Sequence, residues 1–354
     1  MRILLITYSL TSGGAERFVV DLGNSLAKEG HEVYLLATDD GQIGNNDFYL
    51  SELSPQIQYM NLHARSGHRL RALTGIVNYI RKTRPDIVHA HTDLIQLLIP
   101  VILCQKPKYF HTIHNVAEYF LPGQLWKPLF KALYSYRIYP VTISKTCSDS
   151  FRTLYGLSTD TLIENGRHQP PLSGQFEETR AQMIKFKDGK PLFIHVARFA
   201  PQKNQEVLFK AFGMLRDAKL LVLGGGYPEE VKAEQNPDNV LFMGEKHNVG
   251  DYLACSDFYV LSSLFEGLPL SLLEAMSYGV VPVSTPAGGV VDVLRDGESG
   301  YLSEDFTSEA LLSTMKRAMM GTVSPEKVRS TYWSRYSMDN CFRKYLHLFE
   351  DNLK

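Results

Sequence analysis

The chain has 354 residues, 44% of them hydrophobic and 21% charged, and its 37 Lys and Arg against 38 Asp and Glu leave a formal net charge of −1. That length suits two domains and that composition suits a packed globular protein, which excludes a disordered tail, a collagen or a disulfide-stapled miniprotein. The near-zero balance argues against a protein that coats nucleic acid, so no nucleic-acid partner is expected. The four cysteines, Cys104, Cys147, Cys255 and Cys341, form no C-x-x-C pair. Their spacing fits neither a zinc site nor a disulfide framework, and separate thiols suit a reducing, cytoplasmic compartment.

The opening run, Met1-Arg2-Ile3-Leu4-Leu5-Ile6-Thr7-Tyr8, breaks at Thr7 before a glycine turn. It is shorter than a secretory apolar segment and reads as a buried strand over 3–7. Residues 15–29 have helical spacing through Phe18, Leu22 and Leu26, with Gly30 as the stop, and 32–37 read as the next strand. A helix over 73–82 and a strand over 86–89 follow. The apolar run 94–104 contains Gln96 and Pro100 and is too short to cross a bilayer. Residues 109–113 form another strand. The pattern then restarts: strand 191–197, helix 205–215, strand 219–223, strand 240–243, short helix 251–255, strand 258–261, helix 269–278 and strand 280–284. This rhythm implies an α/β chain with two parallel, doubly wound Rossmann-like domains.

The boundary is expected within 169–190, where Pro170, Pro171, Gly174 and Gly189 suggest a linker. The first domain is then 1–169 and the second 170–335, with a C-terminal helix of about 336–354 packing back on the first. Open α/β sheets bind ligands at their strand C-termini, so the site is expected where those ends of the two halves face one another.

The densest chemistry is Glu266-Gly267-Leu268-Pro269-Leu270-Ser271-Leu272-Leu273-Glu274-Ala275-Met276. Pro269 suits a first helical turn. Glu266 then sits at the helix mouth and Glu274 about one turn inside. Free amides near Leu270 and Ser271 suit phosphate oxygens, helped by the helix dipole. A carboxylate accepts two vicinal hydroxyls, so Glu274 suits a ribose and Glu266 the hydroxyls of a sugar. The second motif is His195-Val196-Ala197-Arg198-Phe199-Ala200-Pro201-Gln202-Lys203-Asn204. Arg198 offers a fork and Lys203 a compact charge, both able to turn toward a diphosphate from a strand-to-helix loop.

With these motifs the sequence resembles the retaining, nucleotide-sugar-dependent glycosyltransferases of family 4 (group 1), which have the GT-B fold of two Rossmann-like domains. The two glutamates eight apart, followed by Ala-Met and a glycine (Gly279) before a Val-Pro-Val strand, carry the resemblance, which covers nearly the whole chain. It implies that Arg198 and Lys203 neutralise the donor diphosphate, that Glu266 orients the donor sugar and that Glu274 binds the ribose. It implies that Ser12-Gly13-Gly14-Ala15-Glu16-Arg17 borders the acceptor and the donor phosphates, with backbone contact at Gly13 and Gly14. It also implies that His114, in Phe110-His111-Thr112-Ile113-His114-Asn115, faces the donor sugar from the other domain. His111 points elsewhere by strand alternation. Asn165-Gly166 matches the family, but Arg167-His168-Gln169 stands where an apolar and then an acidic residue usually follow, which leaves that turn without a role.

The chain has no D-x-D triplet, and His89 and His91 lack a third ligand, so no metal and no separate cofactor are expected. The resemblance implies a UDP- or GDP-linked sugar as donor and a glycan or lipid-linked hydroxyl as acceptor, as in bacterial surface polysaccharide assembly. Residues Tyr119-Phe120-Leu121, Leu125-Trp126-Lys127-Pro128-Leu129-Phe130-Lys131, Tyr134, Tyr136, Arg137 and Tyr139, with Arg65, His68, Arg69 and Arg71, mix aromatic and basic character. They suit either a peripheral contact with the cytoplasmic face of an anionic membrane or a packed domain interior with solvated charges. Two rival readings remain: a sugar-nucleotide epimerase or hydrolase of the same fold, and a non-catalytic subunit that binds nucleotide-sugar or glycan.

Overall fold

The computed structural model describes residues 1–38, 48–64, 69–104, 106–236 and 238–354. The chain divides into two compact units, Met1–Gly166 with Met338–Lys354, and Arg167–Ser337.

In the first unit the strands are β1 (Arg2–Thr7), β2 (Glu32–Ala37), β3 (Gln58–Asn61), β4 (Ile87–His91), β5 (Lys108–Ile113), β6 (Ile138–Thr142) and β7 (Thr161–Leu162). Among the described residues they form one sheet in the order β3-β2-β1-β4-β5-β6-β7, all parallel. β1 is a near-continuous apolar run because helices cover both faces of a central parallel strand. The Gly14–Lys28 helix returns the chain from β1 to β2. Ser144 caps the Lys145–Tyr155 helix by accepting from the Cys147 amide, and Gly156 closes it in the left-handed region. The Met338–Leu353 helix completes this unit. It packs on the Gly14–Lys28 helix, and Tyr345 Oη lies 3.0 Å from Thr112 Oγ1.

The second unit repeats the plan with β8 (Leu192–Val196), β9 (Lys219–Leu223), β10 (Val240–Gly244), β11 (Phe258–Leu261), β12 (Val281–Ser284) and β13 (Tyr301–Leu302), in the order β10-β9-β8-β11-β12-β13. Both units are therefore open, doubly wound parallel sheets whose order reverses beside the first strand. The loops after β8 and β11 leave neighbouring parallel strands at the same edge, which is where open α/β sheets build sites.

One expectation is corrected. The stretch 169–190 is not a linker: the first unit ends at Gly166, and Phe176–Lys187 is a helix of the second unit. Glu177 and Glu178 in its first turn and Lys185 and Lys187 in its last complement the helix dipole. Pro325–Thr331 runs into a π turn over Tyr332–Tyr336, extended Ser337 breaks the chain direction, and Met338 starts the last helix. Strand 280–284 is followed by β13, which pairs with Val283 and Ser284.

Candidate functional site

In the second unit, β8 delivers the Ala197–Asn204 loop and β11 delivers Ser262–Pro269 at adjacent positions. The two loops are bonded to each other. Leu264 N–H donates to Gln202 O at 2.9 Å, Gln202 Nε2 donates to Phe265 O at 2.8 Å, and Ser262 Oγ donates to Lys203 O at 2.8 Å. Glycines allow the close approaches. Gly288, at φ 50°, lies so near the Glu266 carbonyl that any side chain would collide with it, and the Gly289 amide donates to that same oxygen at 2.9 Å.

This frame fixes Glu266, which is buried at 6% exposure. Its Oε1 accepts from Lys203 Nζ and from Ser263 Oγ, both at 2.6 Å. Both charge-assisted bonds fall on one oxygen, and no described hydrogen bond takes Oε2. Arg198, on the same loop as Lys203, is exposed, and no carboxylate pairs with it among the described residues. The two cations thus differ: one is engaged by Glu266, the other is available to an incoming anion.

Pro269 is the N-cap of the next helix, in extended conformation (φ −72°, ψ 124°), and the helix proper is Leu270–Tyr278. The expectation that Pro269 occupies the first helical turn is corrected by one position, because its ψ is strand-like. No side chain caps this N-terminus, so the first-turn amides around Leu270 and Ser271 lack a side-chain partner. The Ser271 hydroxyl is 2.8 Å from Tyr259 Oη. Glu274 lies one turn further on. Its Oε1 accepts from Arg167 Nε at 2.6 Å, with both side chains largely buried.

In the first unit, Gly13 is the extended N-cap of the Gly14–Lys28 helix, and the Glu16 carboxylate fills the space a Gly13 side chain would take. Phe18 of this helix packs edge-on against His114, 5.5 Å between centroids. The helix after β1 thereby meets the residue that follows β5. His114 Nε2 is 3.0 Å from His91 Nδ1, and the His89 and His91 rings are 4.2 Å apart. Burial pushes His114 down to about 3 and His111 down to about 4, and it holds His89 and His91 well below the ordinary histidine range. These rings are neutral at pH 7. His111 turns away as strand alternation requires, with Nδ1 2.8 Å from Tyr134 Oη and Nε2 2.6 Å from Thr92 O. His89 Nε2 bonds Thr112 Oγ1 at 2.7 Å. Among the described residues no group of three His, Cys, Asp or Glu is placed to hold a metal ion.

The aromatic and basic segment of the first unit divides between the two alternatives. Phe130, Leu133 and Tyr134 are core, and Tyr139 stacks on Phe110. Leu125 is 95% exposed and Tyr136 85% exposed, with Trp126 half-exposed beside Lys127 and Lys131. Arg65 and His68 lie outside the described residues, as do the side chains of Arg69 and Phe120. No described helix is long and apolar enough to cross a membrane.

Comparison with known proteins decides the family. The model "Glycosyltransferase Family 4" matches residues 12–167, and "Glycosyl transferases group 1" matches 176–331. The chain belongs to the family 4 glycosyltransferases. Its relatives include N-acetyl-alpha-D-glucosaminyl L-malate synthase of Bacillus anthracis, 24% identical, with 99% of this chain and 97% of that protein covered. Another is UDP-Gal:alpha-D-GlcNAc-diphosphoundecaprenol alpha-1,3-galactosyltransferase of Escherichia coli, 24% identical, with 70% of each covered. Among solved structures, a glycosyltransferase from Rickettsia africae superposes with TM-score 0.83 at 19% identity, covering 100% of this chain and 98% of that one. Anabaena HepE in complex with UDP-glucose superposes with TM-score 0.80 at 16% identity, covering 99% and 100%. These likenesses establish the GT-B fold of the glycosyltransferase.

Sequence reasoning about this glycosyltransferase missed three side chains that hold the named ones: Ser263 on Glu266, Arg167 on Glu274 and His91 on His114. Ser263 carries a local signal, three residues before the glutamate in a turn. Arg167 and His91 carry none, because their partners are distant in sequence.

Proposed function

We propose that the enzyme transfers a sugar, with retained anomeric configuration, from a UDP- or GDP-linked donor to a hydroxyl of a glycan or lipid-linked acceptor in bacterial surface polysaccharide assembly. The observation that carries the reading is Glu266, with one oxygen pinned by Lys203 and Ser263 and the other taken by no described hydrogen bond. Such a carboxylate orients a sugar through its hydroxyls. Arg198 and the uncapped amides at Leu270 and Ser271 receive the diphosphate, and Glu274 accepts the ribose hydroxyls. As the bond from the anomeric carbon to the diphosphate breaks, charge grows on the departing oxygen, and Arg198 with Lys203 stabilises it. The acceptor oxygen bonds to the anomeric carbon from the same face, and its proton passes to the departing diphosphate oxygen.

One relative supports the donor and acceptor classes by name. The E. coli relative takes a UDP-linked galactose and a diphosphoundecaprenol acceptor. The exposed Leu125, Trp126 and Tyr136 with Lys127 and Lys131 favour an acceptor held at an anionic membrane on the cytoplasmic side.

The test is a thermal-shift screen against UDP, GDP, ADP and their sugar conjugates, with and without EDTA, followed by transfer to lipid-linked acceptors in vesicles. A ligand that binds only the folded state raises its stability by mass action. One nucleotide family should stabilise the protein, with EDTA having no effect. No stabilisation at millimolar ligand would refute the assignment of Arg198 and Glu274. Donor converted without any acceptor would favour the epimerase or hydrolase.

A further inference from the structure

We propose that Arg167 is a positioning residue for nucleotide recognition: its side chain holds Glu274 so that the remaining carboxylate oxygen is presented to the vicinal hydroxyls of the donor ribose. The inference rests on the reading of the second unit as the donor-binding half.

Arg167 projects from a fixed point. Its amide donates to Tyr336 O at 3.0 Å, and its carbonyl accepts from Tyr332 Oη at 2.6 Å. Both tyrosines are fully buried and belong to the π turn Tyr332–Tyr336. The backbone of Arg167 is therefore clamped independently of its side chain. From there Nε donates to Glu274 Oε1 at 2.6 Å, with the Arg side chain 7% exposed and the Glu side chain 13% exposed.

Two consequences follow. First, a glutamate has several rotatable bonds, and a charge-assisted bond from a rigid donor confines it to one rotamer before ligand arrives. Oε1 is engaged and Oε2 is left for a diol. Second, Glu274 lies one turn from the helix N-terminus proposed for the diphosphate. A bare carboxylate there would repel the phosphates, and the guanidinium offsets that charge. Neither effect needs Arg167 to touch the donor. This gives the turn after Asn165-Gly166 a role that its departure from the family pattern had left open.

The test compares equilibrium binding of the preferred ribonucleoside diphosphate with its 2′,3′-dideoxy counterpart, in the full-length wild type and in Glu274→Gln, Arg167→Met and Arg167→Lys. The wild type should favour the ribonucleotide by about tenfold or more, as expected for hydrogen bonds to a charged group. Glu274→Gln and Arg167→Met should each reduce that preference to under about threefold. Arg167→Met should raise the donor KM with kcat little changed, and Arg167→Lys should restore part of the preference. A purely structural role would lower the melting temperature of Arg167→Met and leave the ribose preference intact. Loss of preference in Glu274→Gln but not in Arg167→Met would thus overturn this inference alone. A wild type that does not distinguish the two nucleotides would overturn the ribose role of Glu274, and the inference with it. If Arg167→Met does not fold, an unchanged preference in folded Arg167→Lys refutes the proposal and a reduced one supports it.

Discussion

Replacing Lys203 by Met should destabilise the second unit by about 3 kcal/mol, because it leaves Glu266 as a buried carboxylate without its cation. Lys203 is 18% exposed and Glu266 7% exposed at the side chain, and the pair closes at 2.6 Å. Ser263 still donates to Glu266 Oε1, so the loss should fall at the lower end of the range for broken buried pairs. Glu266→Gln should cost less, about 1–2 kcal/mol, since the freed ammonium can reach water. The double variant should cost less than the sum, with a coupling of about 1.5 kcal/mol or more. The chain has two tryptophans, Trp126 in the first unit and Trp333 in the second. In a Trp126→Phe background, urea unfolding followed by fluorescence therefore reads the second unit alone. If the two single losses add to within about 0.5 kcal/mol, the residues do not interact energetically, and the account of how Glu266 is held is wrong.

Arg198→Ala should behave differently, lowering transfer about 100-fold while leaving stability within about 0.5 kcal/mol, because the guanidinium is exposed and unpaired by carboxylate. A matching loss of stability would refute its assignment to the ligand. Gly288→Ala should destabilise the second unit by more than about 2 kcal/mol, from strain at φ 50° plus collision with the Glu266 carbonyl. Gly297→Ala, at φ 73° but facing open space, should cost about 1 kcal/mol; equal urea midpoints would argue against the close approach. Acid should unfold the first unit preferentially. His114 and His111 are lowered to about 3 and about 4 in the fold, so their contribution is complete above about pH 6.5 and declines as pH falls, when the unfolded state takes up protons. The pair can remove up to about 3 kcal/mol per pH unit once pH is well below 6.5. A Trp333→Phe protein, in which Trp126 reports the first unit, should show a falling urea midpoint from pH 7 to 5; a flat profile would contradict the burial of these rings.

The central strands were legible because burial on both faces leaves continuous apolar runs such as those of β1, β2, β9 and β11. β3 and β7 were not. β3 reads Gln-Tyr-Met-Asn with half its residues exposed, and β7 has only two residues, so neither has an apolar pattern to detect. β6 carries Pro140 in its interior, a residue that weakens any strand assignment from sequence. Within the candidate site, Lys203 and Glu266 were identified as residue types suited to the chemistry, but not as partners. Nothing in the spacing of two residues 63 apart says that one neutralises the other. Likewise Arg167 looked like a break in a pattern because its partner lies on a helix more than a hundred residues later. Sequence motifs mark the groups that suit a ligand. The bonds that aim those groups arise from strand order, which places the loops after β8 and β11 side by side.

That arrangement also divides the labour between the two cations. Lys203 is paired with Glu266 and Arg167 with Glu274. On the proposed reading, a donor diphosphate arriving at this edge is met by Arg198 and by the helix amides, which together carry roughly one and a half positive charges. That suffices for ground-state binding but not for the extra charge that develops as the sugar departs. An ammonium has three donors, and only one is needed to keep Glu266 in place. Lys203 can therefore bridge the carboxylate to the phosphate, and it does so most strongly when the phosphate is most negative. Arg198 then acts in both states, whereas Lys203 acts mainly in the transition state. Loss of Arg198 should raise the donor KM as well as lower kcat, while loss of Lys203 should fall mostly on kcat. If Arg198→Ala lowered kcat alone while Lys203→Met raised only KM, the two loops would have to exchange roles, and the pinned Glu266 could not be the group that orients the sugar.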